Sequence, residues 1–210
     1  MVEKGHVSES AAANGAPRAD GTGAAEGLAK TIGAASKKGP PPVHLWNPPY
    51  RGDLDIRIKR DGSWWHEGGR IGREGLVRLF ASVLKYEDGR HYLVTPVEKV
   101  GITVDDAPFV AVDFRVDGKG NAQVITFTTN VGDETAAGPE NPIRVEKDPE
   151  TGEPSPYVHV RRGLEALIDR KSFYRLVEIG EVEEQGGARL FGLRSGGEFF
   201  PLAGADAMGL

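Results

Sequence analysis

Five side chains in this chain are placed where they could hold an anion: Arg70, Arg73, Lys99, His159 and Arg161. Arg70 and Arg73 lie in Gly68-Gly69-Arg70-Ile71-Gly72-Arg73, directly before Leu76, Leu79, Phe80, Val83 and Leu84, which share one helical face. A helix N-terminus carries partial positive charge and free N–H groups, so arginine there is unfavourable by roughly 0.3–1 kcal/mol unless something negative compensates. Two guanidinium groups and permissive glycine backbone at that end suit a phosphate or carboxylate. Tyr157, His159 and Arg161 alternate with Val158 and Val160, which sets them on the strand face opposite the apolar one. Lys99 follows Pro96, whose break in the run from Tyr92 to Val100 exposes Thr95, Glu98 and Lys99 at a strand end. The competing reading pairs each arginine with a structural carboxylate such as Asp55 or Asp113.

Other chemistries find less support. Asp105-Asp106-Ala107-Pro108 offers two carboxylates, but neighbouring side chains in extended backbone diverge, and Asp before Pro fixes a turn. The five histidines show no close ligand spacing, which argues against a metal site, and nothing asks for a cofactor. Neither a nucleophile elbow nor a phosphate loop occurs, and Gly-Gly-Arg-Ile-Gly-Arg is too short and wrongly placed for a dinucleotide fingerprint. Of the neighbouring Trp64 and Trp65, a strand would send one to the core and leave the other free to stack on a planar ligand. There is no cysteine among the 210 residues, hence no disulfide or thiol chemistry. A net charge of −5 disfavours nucleic acid. The lack of an apolar run of about 18 residues argues against a membrane span, and the first thirty residues lack secretory features; the expected location is the cytoplasm.

The elements that must carry these groups follow from composition and period. Residues 1–45 contain no aromatic side chain, so 1–40 read as a disordered tail able to form a short helix at 24–35, docked through Leu28 and Ile32. Gly39-Pro40-Pro41-Pro42 then forces an extended arm. Leu54, Ile56 and Ile58 alternate with charged residues, and Asp61-Gly62 turns the chain into Ser63-Trp64-Trp65-His66, giving a hairpin, then a helix, then a strand at His91–Val94. Alternating strands at 110–116 and 124–127 pair across Asp117–Asn121, and Ile143/Val145 and Val158/Val160 form a second hairpin, leading into a helix with Leu164, Leu167 and Ile168. Arg73-Glu74-Gly75-Leu76-Val77-Arg78-Leu79-Phe80 matches Arg161-Arg162-Gly163-Leu164-Glu165-Ala166-Leu167-Ile168 as Arg-x-Gly-Leu-x-x-Leu-apolar, which predicts a duplication whose two helix starts face a common ligand. The expected fold is α+β: two duplicated units of mainly antiparallel sheet with a helix each, covering 41–108 and 109–210.

Gly52-Asp53-Leu54-Asp55-Ile56-Arg57-Ile58, Leu93-Val94-Thr95-Pro96-Val97-Glu98-Lys99-Val100, Asp106-Ala107-Pro108-Phe109 and Pro156-Tyr157-Val158-His159-Val160-Arg161 together resemble a proteobacterial family catalogued as a domain of unknown function, number 1285 in its series. The likeness runs from about Pro41 to Leu202. It implies two duplicated α+β units, the second like a partial pleckstrin-homology barrel. It also implies a site between them for a nucleotide-like molecule, and a signalling role. The expected function is therefore a cytoplasmic, non-enzymatic protein that binds an anionic, nucleotide-like small molecule between its units. Its rivals are a hydrolase or transferase using His66 or His159 near Glu98 or Asp106, and a protein-interaction scaffold with an apolar surface patch.

Overall fold

Alternation of apolar and polar residues governs most of the chain, and the computed structural model, which describes residues 21–35 and 41–209, turns that alternation into fifteen strands and three α-helices. The expected disorder up to Gly23 falls almost wholly outside the described residues, as do Gly39 and Pro40 of the arm. Helix α1 (Gly21–Ala35) starts three residues earlier than expected and does bury Leu28 and Ile32, one turn apart on one face, against the first sheet and its helix. Among the described residues no helix is long and apolar enough to cross a membrane.

The first unit runs β1 (Tyr50–Ile58), β2 (Trp64–His66), β3 (Gly69–Arg70), α2 (Glu74–Ala81), β4 (Leu84–Glu87), β5 (Arg90–Val94) and β6 (Lys99–Val104). Its strands lie in the order β3-β2-β1-β6-β5-β4, two antiparallel meanders joined by the parallel pair β1 and β6. Ile56, Ile58, Trp64 and Phe80 are buried together, and the Trp64 and Phe80 rings stack at 6.1 Å. Trp65 faces the other way and takes Lys59 Nζ over its ring at 3.6 Å.

The second unit runs β7 (Phe109–Asp117), β8 (Val124–Thr129), β9 (Glu134–Ala136), β10 (Ile143–Lys147), β11 (Pro154–Arg161) and β12 (Leu164–Ile168). Read from its other edge, the sheet is β9-β8-β7-β12-β11-β10, so adding six to each strand number of the first sheet generates the second. The central parallel pair recurs as β7 and β12. The fold is thus α+β, with two duplicated units of mainly antiparallel sheet, one of them curled into a half-barrel. After β12 come α3 (Arg170–Val177) and a three-stranded antiparallel sheet, β13 (Glu181–Gln185), β14 (Ala188–Ser195) and β15 (Glu198–Gly204).

The duplication does not have the register that the Arg-x-Gly-Leu segments predict. Arg73 precedes a helix, whereas Arg161-Arg162-Gly163 ends one strand and turns into the next. Leu164, Ala166 and Ile168 are all buried, with Glu165 and Leu167 between them half-buried, a period of two. The spacing of Leu164, Leu167 and Ile168 fits a helix equally well; pairing with β7 decides the outcome. The helix of the second half is α3, capped by Asp169, whose carboxylate accepts from Ser172 N at 2.7 Å.

Both units share one continuous hydrophobic core that includes Leu28, Ile58, Phe80, Phe109, Phe127 and Leu164. Asn130 bridges them, its Oδ1 accepting from Val110 N at 3.0 Å and its Nδ2 donating to Gly62 O at 3.2 Å.

Candidate functional site

Helix α2 separates the groups that the sequence suggested would converge. Its eight residues span about 12 Å. Arg73 occupies the N-cap with extended backbone, and its side chain caps nothing. Arg70, exposed at the end of β3, lines a depression of about 560 Å³ at the same helix end, beside Asp61 and Asn130. The serine hydroxyl and backbone N–H of Ser63 hold the Asp61 carboxyl below its ordinary range, with Arg70 a smaller contributor.

Arg161 serves the opposite end. From β11 its Nη2 donates to the carbonyl of Ala81, the last residue of α2, at 2.9 Å. Its Nη1 is ion-paired with Asp133, and the guanidinium lies 5.0 Å from the centre of the Phe109 ring. A helix C-terminus carries partial negative charge, so this arginine is stabilising where it stands. It staples the second unit onto the helix of the first.

The remaining two predicted residues are also engaged within the fold. His159 Nε2 accepts from Gly163 N at 3.0 Å, and its Nδ1 lies 3.2 Å from the Asn141 amide. Lys99 Nζ contacts Glu87 Oε2 at 2.5 Å and sits 4.8 Å from the Tyr92 ring centre. Lys85, then Lys99, hydrogen-bond to Glu87 and pull its carboxyl down to about 2. Thr95, expected at an exposed strand end, is wholly buried, its hydroxyl accepting from Val97 N and Glu98 N in the turn between β5 and β6. The structure therefore does not gather Arg70, Arg73, Lys99, His159 and Arg161 into one surface. Arg70 and Arg73 stand at one end of α2, and Arg161 at the other.

A cleft of about 540 Å³ does form where the units meet, at the C-terminal end of α2. Val43, Leu84, Val160 and Leu164 supply apolar wall from the arm and both units. His44, Lys85 and Arg162 stand among these walls, together with Asp133 and Glu134. The two carboxylates are already matched, Asp133 by Arg161 and Glu134 by Arg115 at 2.8 Å. Arg162 has no ion-pair partner among the described residues and is exposed.

Its backbone is unusual as well. Arg162 and Gly163 form the turn between β11 and β12 with φ of 47° and 76°, the left-handed region that favours Asn, Asp or Gly at the first position. The turns at Glu67-Gly68 and Asp88-Gly89 have the same φ pattern, 48° and 77° and 51° and 77°. Holding arginine in this conformation costs about 1 kcal/mol or more, and such strain collects at functional positions. Arg162 lies inside the repeated Arg-x-Gly-Leu segment, whose pattern singles out its neighbour Arg161. The detectable signal was an Arg-Gly pair between two alternating runs, which reads as a tight hairpin turn.

A second junction lies around Asp106, in the connection between the units. Tyr157 donates to its Oδ1 at 2.8 Å, while Arg60 Nη1 faces Oδ2 at 3.1 Å as an ion pair without hydrogen-bond geometry. Burial first, and the Asp106 hydrogen bond next, push the Tyr157 phenol up to about 12, so it acts as a donor rather than a nucleophile. Arg144 lies 4.3 Å from the centre of the same ring and is held by Glu165 through Nε at 2.7 Å and Nη2 at 2.5 Å.

Fold and site together define a two-unit α+β protein with a preformed cleft at the junction of its repeats. Residues 41–107 match the N-terminal and residues 108–202 the C-terminal domain of DUF1285, a protein of unknown function, and the chain belongs to that family. It is similar to the crystal structure of a DUF1285 family protein from Silicibacter pomeroyi DSS-3, with 61% identity and a TM-score of 0.80 over 87% of this chain and 98% of that one. A DUF1285 family protein from Shewanella baltica OS155 is 28% identical, with a TM-score of 0.46 over 59% of this chain and 90% of that one. No curated protein matches.

Proposed function

We propose that this protein binds a small anionic molecule in the cleft between its two units, and that occupancy of the cleft serves a signalling role. The observation that carries the reading is Arg162, an unmatched cation held in strained backbone at the edge of a partly apolar cleft. The cleft volume of about 540 Å³ falls in the range of small-molecule sites, roughly 300–1,000 Å³. The apolar walls suit a planar or aliphatic body, and Arg162 with His44 suits a phosphate or carboxylate at its end, a division that a nucleotide-like ligand meets.

Binding is favoured over catalysis by what His159 and His66, the two candidate bases, do. His159 spends a ring nitrogen on the Gly163 N–H, and His66 Nδ1 lies 2.9 Å from the Asp55 carbonyl, so both rings are occupied with backbone. A thermal-shift screen of nucleoside phosphates, sugar phosphates and dicarboxylates tests the reading. A ligand at about 100 times its dissociation constant adds roughly 2.7 kcal/mol, which raises the melting temperature by roughly 5–10 °C for a chain of this size. A crystal or spectroscopic map that places the bound compound away from Arg162 would overturn it.

A further inference from the structure

The turn that carries Arg162 is fastened by two side chains outside it. His159 Nε2 accepts from Gly163 N at 3.0 Å, a bond additional to the ladder, which pairs Arg161 with Leu164 across the turn. Gly163 also rests on the Tyr86 ring, since a Cβ added there would meet Tyr86 Cδ1 at 3.1 Å. The strand from which His159 reaches is itself anchored. Asn141 Nδ2 donates to the carbonyls of His159 and Val160 at 3.0 Å each, and Thr135 Oγ1 donates to the His159 carbonyl at 3.3 Å. Strained backbone persists only where its surroundings over-determine it, and these contacts surround a left-handed arginine.

The bond to Gly163 holds only while the imidazole is neutral. A neutral ring keeps one acceptor nitrogen, whereas a protonated ring is a donor at both and would face the Gly163 N–H donor to donor. Histidine is the side chain whose charge changes near physiological pH. The carboxylates around this ring are already matched: Glu165, opposite it in the ladder on β12, by Arg144, Glu134 beside Thr135 by Arg115, and Asp133 by Arg161. Arg162 is itself a cation, and the Tyr157 phenol on the same strand, pushed up to about 12, stays neutral. Two other histidines stand nearby: His44 lines the cleft from the arm, and His91, 4.8 Å from the Tyr86 ring, is held below its ordinary value by burial.

We propose that His159 is a positioning residue for Arg162: its neutral imidazole clasps the Gly163 amide and keeps the turn in the left-handed form that presents Arg162 at the cleft, and protonation releases the turn. The consequence for binding rests on the reading of the cleft as an anion site, while the clasp is a property of the free protein. The sign is distinctive. Added positive charge at the cleft would by itself strengthen anion binding in acid, and release of the clasp weakens it.

The test is nuclear magnetic resonance of the full chain, isotope-labelled at nitrogen. An N–H···N hydrogen bond transmits a scalar coupling between its two nitrogens, so Gly163 N and His159 Nε2 should be coupled at about pH 8 and uncoupled at about pH 5. Over the same step the Gly163 amide, corrected for its intrinsic exchange rate, should lose protection tenfold or more. His159→Phe should leave that amide unprotected at both pH values, and His159→Gln, whose carbonyl accepts at either, should keep it protected at both. Sulfate, which stays doubly charged throughout, should bind at Arg162 at least threefold more weakly at the lower pH in wild type and not in His159→Gln. Tighter sulfate binding by wild type in acid would make His159 a ligand cation and overturn the positioning role. Absence of the coupling at the higher pH, or wild-type protection of Gly163 in His159→Phe, would overturn the clasp. Coupling and protection as expected, with no sulfate at Arg162 at either pH, would uphold the clasp and overturn the cleft reading alone.

Discussion

Replacing Arg161 with alanine removes three contacts at once, and the structure allows the loss to be sized. The hydrogen bond to the Ala81 carbonyl is made by a charged donor, a class that contributes about 1.5–3 kcal/mol. The ion pair with Asp133 joins side chains that are 29% and 39% exposed, so solvent screens it to about 0.5–1 kcal/mol. Cation–π contact with Phe109 adds about 0.5–1 kcal/mol. These terms share one guanidinium and do not sum freely, so about 3 kcal/mol is the expected loss. In a chain of this size that lowers the melting temperature by roughly 6–12 °C. Urea unfolding of wild type, Arg161→Ala and Arg161→Lys measures it directly. Lysine keeps the charge but cannot hold Asp133 and the carbonyl together, so it should recover less than half of the loss. A change below about 1 kcal/mol for Arg161→Ala would refute the staple and return Arg161 to the ligand-contact role that its sequence context suggested.

Three further outcomes follow from contacts described above. Gly62→Ala should destabilise by about 1–3 kcal/mol in the same unfolding assay, since φ is +77° and an added Cβ meets Asn130 Nδ2 at 2.6 Å. Tyr157→Phe should cost about 1 kcal/mol by removing the hydrogen bond to Asp106, and ultraviolet titration should show one tyrosine of the wild type ionising near 12 that the variant lacks. The Glu87 carboxyl lies near 2 in the folded chain against an ordinary 4.5, so its contribution is complete above pH 4.5 and is lost as pH falls from 4.5 through 2. Stability measured across that window should decline less steeply in Glu87→Gln than in wild type.

The local parts of this fold were written in periods short enough to read. Leu54, Ile56 and Ile58 gave the first strand, Asp61-Gly62 its turn, and Leu28 with Ile32 the docked helix. Residues 164–168 form a strand rather than the expected helix because their apolar spacing satisfies both, and the deciding partner, β7, lies more than fifty positions earlier. The same distance hid the true repeat. Its identity resides in the order of strands and in a central parallel pair, neither of which leaves a sequence motif. Arg161 was legible as a special arginine, but its partner is the Ala81 carbonyl, a group that every residue possesses and no sequence can single out. Arg162 was visible only as half of a turn, and its strain depends on a backbone angle set by the hairpin.

The most direct test of the cleft as a binding site uses that strain. Arg162→Asn relieves a left-handed arginine, so the variant without ligand should be as stable as wild type or more stable by about 0.5–1 kcal/mol. Calorimetric titration of both proteins with the nucleoside phosphate that most raises the wild-type melting temperature then separates binding from folding. Binding through the cleft predicts an affinity at least tenfold weaker in the more stable variant. Equal affinity in Arg162→Asn, or no nucleoside phosphate, sugar phosphate or dicarboxylate that shifts the wild type at all, would contradict it.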